Sequence, residues 1–337
     1  MQYREAIGRA ILEAMSDPSV VLLGAGVADP KGCFGTCLPA RKVYPERVFE
    51  TPLSENMLTG ALVGMSLAGL KPIYVHARAD FAFLSFEHLG NTAAKWRETH
   101  GSQEPLPLVV RMLVGRGWGQ GPQHSQNAAS MLAHVPGLRL FMPCAPQSAY
   151  SAIGEALACG APSVIIEQRR LYDTEGAVIS QPWCDLVRSD PVGTVLPEVA
   201  LIALSGAWPD VLAAQAELAR MGINATALCV QGWPLPAAEL VTIVAGADGR
   251  LVIVDTDWTE CSLASEVVTV CAEQGALSCP PVRIGPPRTA CPTAAGLEAD
   301  WYPSVEDVVN AALQVLGREA VIVGAIPERR DGRKEPF

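Results

Sequence analysis

Two short stretches hold residue types that could do chemistry. In the run "GRGWGQGPQHSQ", His124 follows a loop with very little side chain, and it is one of only five histidines in the chain. An imidazole titrates near neutral pH, so such a loop could bring an acid–base group to a bound ligand. It could equally be an ordinary surface turn. In "TPLSEN", Glu55 stands where an apolar helical pattern begins. A carboxyl group there is either a reactive acid or, together with Ser54, a cap for the orphan amides of the first turn. Generic motifs give less. "GAGVAD" (24–29) opens like a dinucleotide fingerprint, but Asp29 takes the place of the third glycine, and "PKGCFGTCLP" behind it does not start an anion-binding helix. "GMSLAG" (64–69) misses a nucleophile elbow by one residue, and no phosphate-binding G-x-x-x-x-G-K loop occurs. Cys33 and Cys37 form a C-x3-C pair, yet zinc needs two further ligands and no second pair lies at finger-like spacing.

Strands and helices must position these residues, and they alternate. Residues 3–16 have an amphipathic helical pattern, with Ala6, Ile7, Ala10, Ile11 and Ala14 on one face. "VVLLG" (20–24) is a continuous apolar run, the mark of a parallel strand covered on both faces. A helix over 56–70 carries Gly60, Gly64 and Ala68 at four-residue spacing, which lets another backbone approach closely. Then come the strand "KPIYVHA", a helix over roughly 82–98, and the strands "LPLVVRML", "GLRLFMP" and "PSVIIEQ". A polar, aperiodic stretch covers 172–198. Four more strands follow at 199–206, 224–230, 250–256 and 281–285, with helices near 208–221, 261–274 and 304–316. This order predicts an α/β chain of two doubly wound domains, over 1–171 and 199–320, with a linker at 172–198 and a charged tail at 321–337.

Composition narrows the partners. Of 337 residues 49% are hydrophobic and only 18% charged, which suits a large core and extensive subunit contacts. The net charge of −10, with no basic stripe, argues against nucleic acid. No apolar run is long enough to span a bilayer, and the N-terminal pattern is not a secretory signal. Ten cysteines without an export mark read as reduced and cytoplasmic.

The ordered set of motifs is more specific than any one of them. "RVFETPLSENMLTGALVGMSLAGLKPI", "ADFAFLSFEHLGNTAAKWR", "PLVVRMLVGRGWGQGPQHSQ", "HVPGLRLFMPCAPQSA", "LARMGINATALCVQGWPL", "GRLVIVDTDW" and "YPSVEDVVNAAL" resemble one family in order and spacing. It is the beta subunit of the thiamine-diphosphate-dependent first component of 2-oxoacid dehydrogenase complexes, a transketolase-like family. The resemblance spans roughly residues 3–317. It implies a pyrimidine-binding domain followed by a transketolase C-terminal-type domain. It implies catalytic roles for Glu55 and His124, and contacts to the aminopyrimidine from Leu53, Glu55, Ala77 and Phe81. Thiamine deprotonates through the imino tautomer of its aminopyrimidine, and a carboxyl group bonded to the ring nitrogen favours that tautomer. Phe81 is either the ring that stacks on the pyrimidine or a core aromatic at a helix start.

The same resemblance implies a structural potassium ion on backbone carbonyls of Leu108, Ala156, Leu157, Cys159 and Ala161. It places magnesium and the diphosphate on a separate alpha subunit, because the Gly-Asp-Gly motif and distal Asn that hold them are missing here. The implied assembly is two alpha and two beta chains acting on a 2-oxoacid, with a lipoyl acyltransferase as acceptor. Departures keep other outcomes open. Gly24-Ala25-Gly26 replaces an acidic pair, and the glycines common around "DTDWTECSLASE" are lost. His76 and Arg78 are unusual neighbours for the site, either facing an anionic substrate or a partner's carboxylate, or lying solvated at a strand end. A two-carbon ketol or acyl transferase on the same scaffold, or a non-catalytic stabilising subunit, are the alternatives.

Overall fold

A computed structural model describes residues 1–117, 119–191 and 196–323. Contacts divide the chain into two compact units, residues 1–185 with 231–234, and residues 186–230 with 235–337. Most of the tail expected at 321–337 lies outside the described residues.

The first unit is built on strands β1 (Val20–Gly24), β2 (Val48–Glu50), β3 (Lys71–His76), β4 (Val109–Val114), β5 (Arg139–Phe141) and β6 (Ser163–Gln168). They lie in the order β5-β6-β4-β3-β1-β2, all parallel. β1, β4 and β6 are buried along their whole length, as expected of apolar runs with helices on both faces. The helices are α1 (Tyr3–Ala14), α2 (Leu38–Val43), α3 (Glu55–Leu67), α4 (Ala82–Glu87), α5 (Trp96–His100), α6 (Ala129–Ala133) and α7 (Pro146–Ala158). α1 buries Ala6, Ile7, Ala10 and Ile11 and shares a core with Ala149, Ala152, Ile153 and Ala156 of α7. The helix expected over 82–98 is broken: α4 passes into a π-helical turn at His88–Ala93 before α5.

The second unit holds β7 (Leu186–Ser189), β8 (Val199–Leu204), β9 (Ala225–Val230), β11 (Leu251–Val254) and β12 (Val282–Ile284), in the order β12-β11-β8-β9-β7. Its helices are α8 (Trp208–Arg220), α9 (Ala237–Gly246), α10 (Leu263–Glu273), α11 (Ala295–Trp301) and α12 (Val305–Val315). Only β7 is antiparallel among its strands. β7 corrects the linker expectation for 172–198, because a half-buried polar strand at a sheet edge lacks the apolar run that marks the central ones. Between β9 and β11 the short β10 (Gly232–Trp233) pairs antiparallel with β5 and so belongs to the first unit.

Candidate active site

In a parallel sheet the loops that follow the strands emerge together at the carboxyl edge, the usual place for a ligand. Three such loops carry the expected residues: the segment after β2 brings Leu53 and Glu55, the segment after β3 brings Ala77 and Phe81, and the long loop after β4 brings His124.

Glu55 is the first residue of α3 and only 9% exposed. Its backbone carbonyl accepts hydrogen bonds from Thr59 Oγ1 at 2.7 Å and Ser85 Oγ at 3.3 Å. Its carboxylate accepts none from the described residues, and Ser54 makes no side-chain cap bond. Ser54 thus gives no side-chain cap bond, while Glu55 itself stands in the first turn with carboxylate oxygens that no described residue engages.

Behind Glu55 lies a relay of small polar groups. Thr59 Oγ1 lies 2.7 Å from Ser85 Oγ, and Ser85 Oγ lies 3.1 Å from His76 Nε2. His76 is 2% exposed, packs edge-on against Tyr74 at 4.7 Å between ring centroids, and has no partner for Nδ1. Burial lowers its pKa to about 4, so the ring is neutral at physiological pH. This corrects the picture of His76 as a solvated cation at a strand end. Burial and the nearby Glu55 charge raise the Tyr74 phenol well above its usual range.

Phe81 closes a 3-10 turn (Ala79–Phe81), and its ring meets the His124 imidazole edge-on at 6.0 Å. The glycine loop folds back on itself to place His124. A Cβ on Gly115 would lie 2.3 Å from the His124 carbonyl, so only glycine fits there. His124 is half-buried rather than an exposed loop tip. Asp80 fastens the loop: its Oδ1 accepts from the Gln126 side chain at 2.8 Å and the Gln126 amide at 3.3 Å, while its Oδ2 is buried without a partner. Burial, the largest influence, raises the Asp80 pKa against these hydrogen bonds and the His124 charge. Leu53 is 78% exposed on the loop before α3, and Ala77 is half-buried directly after β3.

Around this edge Arg78 and the Cys33–Cys37 pair were singled out from sequence, whereas Arg111, Glu167 and Tyr172 were not. Arg78 donates to Gln120 Oε1 in the glycine loop and to the carbonyl of Ala77 at 2.6 Å. On the opposite face of the sheet, Arg111 is wholly buried, bonded to both oxygens of Glu167 at 2.7 and 3.0 Å and to Thr36 Oγ1 at 3.2 Å. Tyr172 adds its hydroxyl to Glu167 at 2.6 Å. Cys33 and Cys37 lie buried beside this network, with Cys37 Sγ 3.9 Å from Arg111. Among the described residues no cluster of three or more His, Cys, Asp or Glu could hold a metal.

The carbonyl set expected for potassium converges only in part. Ser163 Oγ donates to the carbonyls of Ala156 at 3.3 Å and Ala161 at 2.9 Å. The Cys159 thiol faces the same two oxygens, and the Leu108 carbonyl accepts the Ser163 amide at 3.0 Å. These oxygens already have donors from the protein.

Comparison with known proteins adds to the geometry. Residues 1–175 match the family model described as the transketolase pyrimidine binding domain, and residues 195–308 match the transketolase C-terminal domain. The mitochondrial pyruvate dehydrogenase E1 component subunit beta-2 of Oryza sativa subsp. japonica is 32% identical over 328 residues, covering 94% of this chain and 87% of that one. The acetoin:2,6-dichlorophenolindophenol oxidoreductase subunit beta of Cupriavidus necator is 29% identical over 326 residues, covering 92% and 96%. Among solved structures, a split gene transketolase, described as an inactive beta4 tetramer, superposes with a TM-score of 0.75 at 20% identity, covering 94% of this chain and 98% of that one, which is likeness of fold.

Proposed function

This chain belongs to the beta subunits of thiamine-diphosphate-dependent 2-oxoacid dehydrogenase first components, and from that membership we propose that the carboxyl edge of its first sheet is the cofactor's aminopyrimidine site. The single observation that carries this reading is Glu55, nearly buried at the head of α3 with a carboxylate to which no described residue donates. The donor set suits an aminopyrimidine. Glu55 offers an acceptor to a ring N–H, Phe81 an aromatic face, and the exposed residue Leu53 a further edge.

Bound thiamine diphosphate supplies the nucleophilic carbon and the electron sink that cleavage next to an oxo carbon requires. The residues of this chain do the rest. Glu55 holds a proton at the ring nitrogen and so sets the tautomer of the ring. His124, steadied by Phe81 and by the Asp80–Gln126 clasp, is the group of this chain that would give or take a proton during the reaction. Residues that would hold the diphosphate and magnesium belong to an alpha subunit, so the active unit is a heteromer, two alpha and two beta chains. The outward face of α3 supports an extensive partner. Met57 and Leu67 are 54% and 47% exposed, and nothing lies within 4 Å of where a Cβ on Gly64 would be. Gly60, by contrast, is filled from inside by the His88 ring.

Co-expression with an alpha chain carrying the diphosphate motif should give a complex that reduces dichlorophenolindophenol in the presence of a 2-oxoacid. Replacing Glu55 by Gln should lower that rate by on the order of a hundredfold or more. Full activity in that variant would rule the reading out. A lipoyl domain and an aldehyde offered as rival acceptors separate a dehydrogenase from a two-carbon transferase by the product formed.

A further inference from the structure

His76 is the group at this edge whose role the proposed chemistry leaves open. It ends β3, is 2% exposed, and reaches Glu55 only through two hydroxyls, Ser85 of α4 and Thr59 of α3. Both hydroxyls are fully buried. Among the described residues they bond only to each other, to the Glu55 carbonyl and to His76. Each hydroxyl has one proton to give and lone pairs to receive, and the neutral imidazole has one proton to place on either nitrogen.

The distances settle where each proton goes. The Glu55 carbonyl can only accept, so the 2.7 Å contact with Thr59 Oγ1 takes the Thr59 proton. Thr59 then has none left for Ser85, also 2.7 Å away, so Ser85 donates to Thr59. Any other order leaves one of these two short oxygen–oxygen contacts without a proton, and such a pair repels. With the Ser85 proton spent, the 3.1 Å contact to His76 needs a proton from the ring, which puts it on Nε2. Nδ1, sealed from water and without a partner among the described residues, is then a bare acceptor rather than an orphaned donor. The hydrogen bonds thus all run one way, from β3 through α4 to the first turn of α3, and members of such a chain strengthen one another.

We infer that His76 is a positioning residue for Glu55: as the Nε2–H tautomer it drives a one-way chain through Ser85 and Thr59 that fixes the backbone at the head of α3. The inference rests on the active-site reading of Glu55. The carboxyl group leaves the main chain at the very residue whose carbonyl is gripped, so its direction follows from that grip. A displacement of about 1 Å in a group that must meet a ring nitrogen can cost on the order of a hundredfold in rate. Without the imidazole donor nothing fixes the direction of the Ser85 proton. It can turn to the Glu55 carbonyl 3.3 Å away and leave the contact between Thr59 and Ser85 without a proton.

The tautomer is measured on the full-length chain with isotope-labelled histidine, from the ring nitrogen correlations in its nuclear magnetic resonance spectrum. The His76 signal is the one missing from His76→Gln. This needs neither thiamine nor an alpha subunit, so it fails independently of the Glu55→Gln assay. A His76 ring protonated on Nδ1 overturns the proposal. In the complex with an alpha chain, His76→Phe and Ser85→Ala should each lower kcat on the order of tenfold, with KM for the 2-oxoacid little changed. The double variant should be no slower than either single one, because the same chain is broken only once. His76→Gln, which keeps an N–H to give, should recover most of the rate. Thermal melts establish which variants are folded, and Ser85→Ala, the loss of one oxygen, carries the test if His76→Phe does not fold. Wild-type kcat in folded variants, with only the melting point lowered, overturns the proposal and leaves His76 a packing residue. So do losses that multiply in the double variant, or a His76→Gln enzyme as slow as His76→Phe.

Discussion

Two arginines of the same sheet show opposite ways of keeping a charge out of water. Arg111, in the middle of β4, is completely enclosed and completely matched: a carboxylate in a two-point grip, a hydroxyl, and a tyrosine holding that carboxylate from the far side. Arg78, just past the end of β3, is partly enclosed and matched only by neutral oxygens. Glu55 sides with Arg78, being nearly buried and unmatched. Charges that serve the fold arrive with their counter-charges, whereas those at the carboxyl edge arrive without them. That contrast separates scaffold from site more sharply than burial alone.

The contrast breaks most visibly at Arg111. Replacing it by Ala strands Glu167 as a buried unpaired carboxylate, a change that typically costs about 3–5 kcal/mol. Urea denaturation should show a loss of that order, or no folded protein at all. If the loss is under about 1 kcal/mol, Arg111 is not the anchor described here. Glu55→Gln should behave in the reverse manner. Catalysis drops by on the order of a hundredfold, about 3 kcal/mol of barrier, while the denaturation midpoint stays put or rises, because the lost charge had no protein hydrogen bond. A Glu55→Gln protein that is both active and destabilised would make Glu55 a structural acid and erase the distinction.

How much of this was legible beforehand follows from the same contrast. Central strands were visible because they are apolar runs: Val20–Gly24 matches its expected span to the residue. β2, β7 and β10 were not, being two to four residues long with polar or exposed positions and pairing set by distant partners. The interruption at His88–Ala93 carries no proline, so nothing in the local sequence announces the π-helical turn. Glu55 and His124 stood out through motif order, but whether Glu55 capped its helix was a question of hydrogen bonds that spacing does not answer. The pairing of Arg111 with Glu167 spans 56 residues and becomes predictable only once β4 and β6 are known to be neighbours. The burial of His76 and Arg78 was misjudged, because a charge-bearing residue after a strand is usually solvated, and here α4 and the glycine loop cover the edge.

His76 sharpens the comparison on a pH axis. Its pKa in the folded chain is about 4, below the ordinary value of 6.5. The unfolded chain therefore binds more protons than the folded one between these values. Stability is complete above about pH 6.5 and falls as the pH drops towards 4, by up to about 3 kcal/mol from this residue. His76→Phe, which keeps the ring against Tyr74, should flatten that part of the stability profile, measured by denaturation at pH 7 and pH 4.5. An unchanged slope would mean that the imidazole is reached by water.

The smallest effect concerns two serines at helix starts. Ser304, ahead of α12, accepts a hydrogen bond from the Asp307 amide while Asp307 reaches back to the Ser304 amide at 2.7 Å, a reciprocal capping box. Ser54, ahead of α3, makes no such bond. Ser304→Ala should thus cost about 1 kcal/mol, whereas Ser54→Ala should change stability by less than about 0.5 kcal/mol. Thermal denaturation of the two variants side by side makes the comparison. The helix with the weaker start is the one that presents Glu55, and the Ser54 side chain gives its first turn no cap bond. If Ser54→Ala proved as costly as Ser304→Ala, the start of α3 would be tied down by the chain itself, and Glu55 would lose the open surroundings from which its proposed role follows.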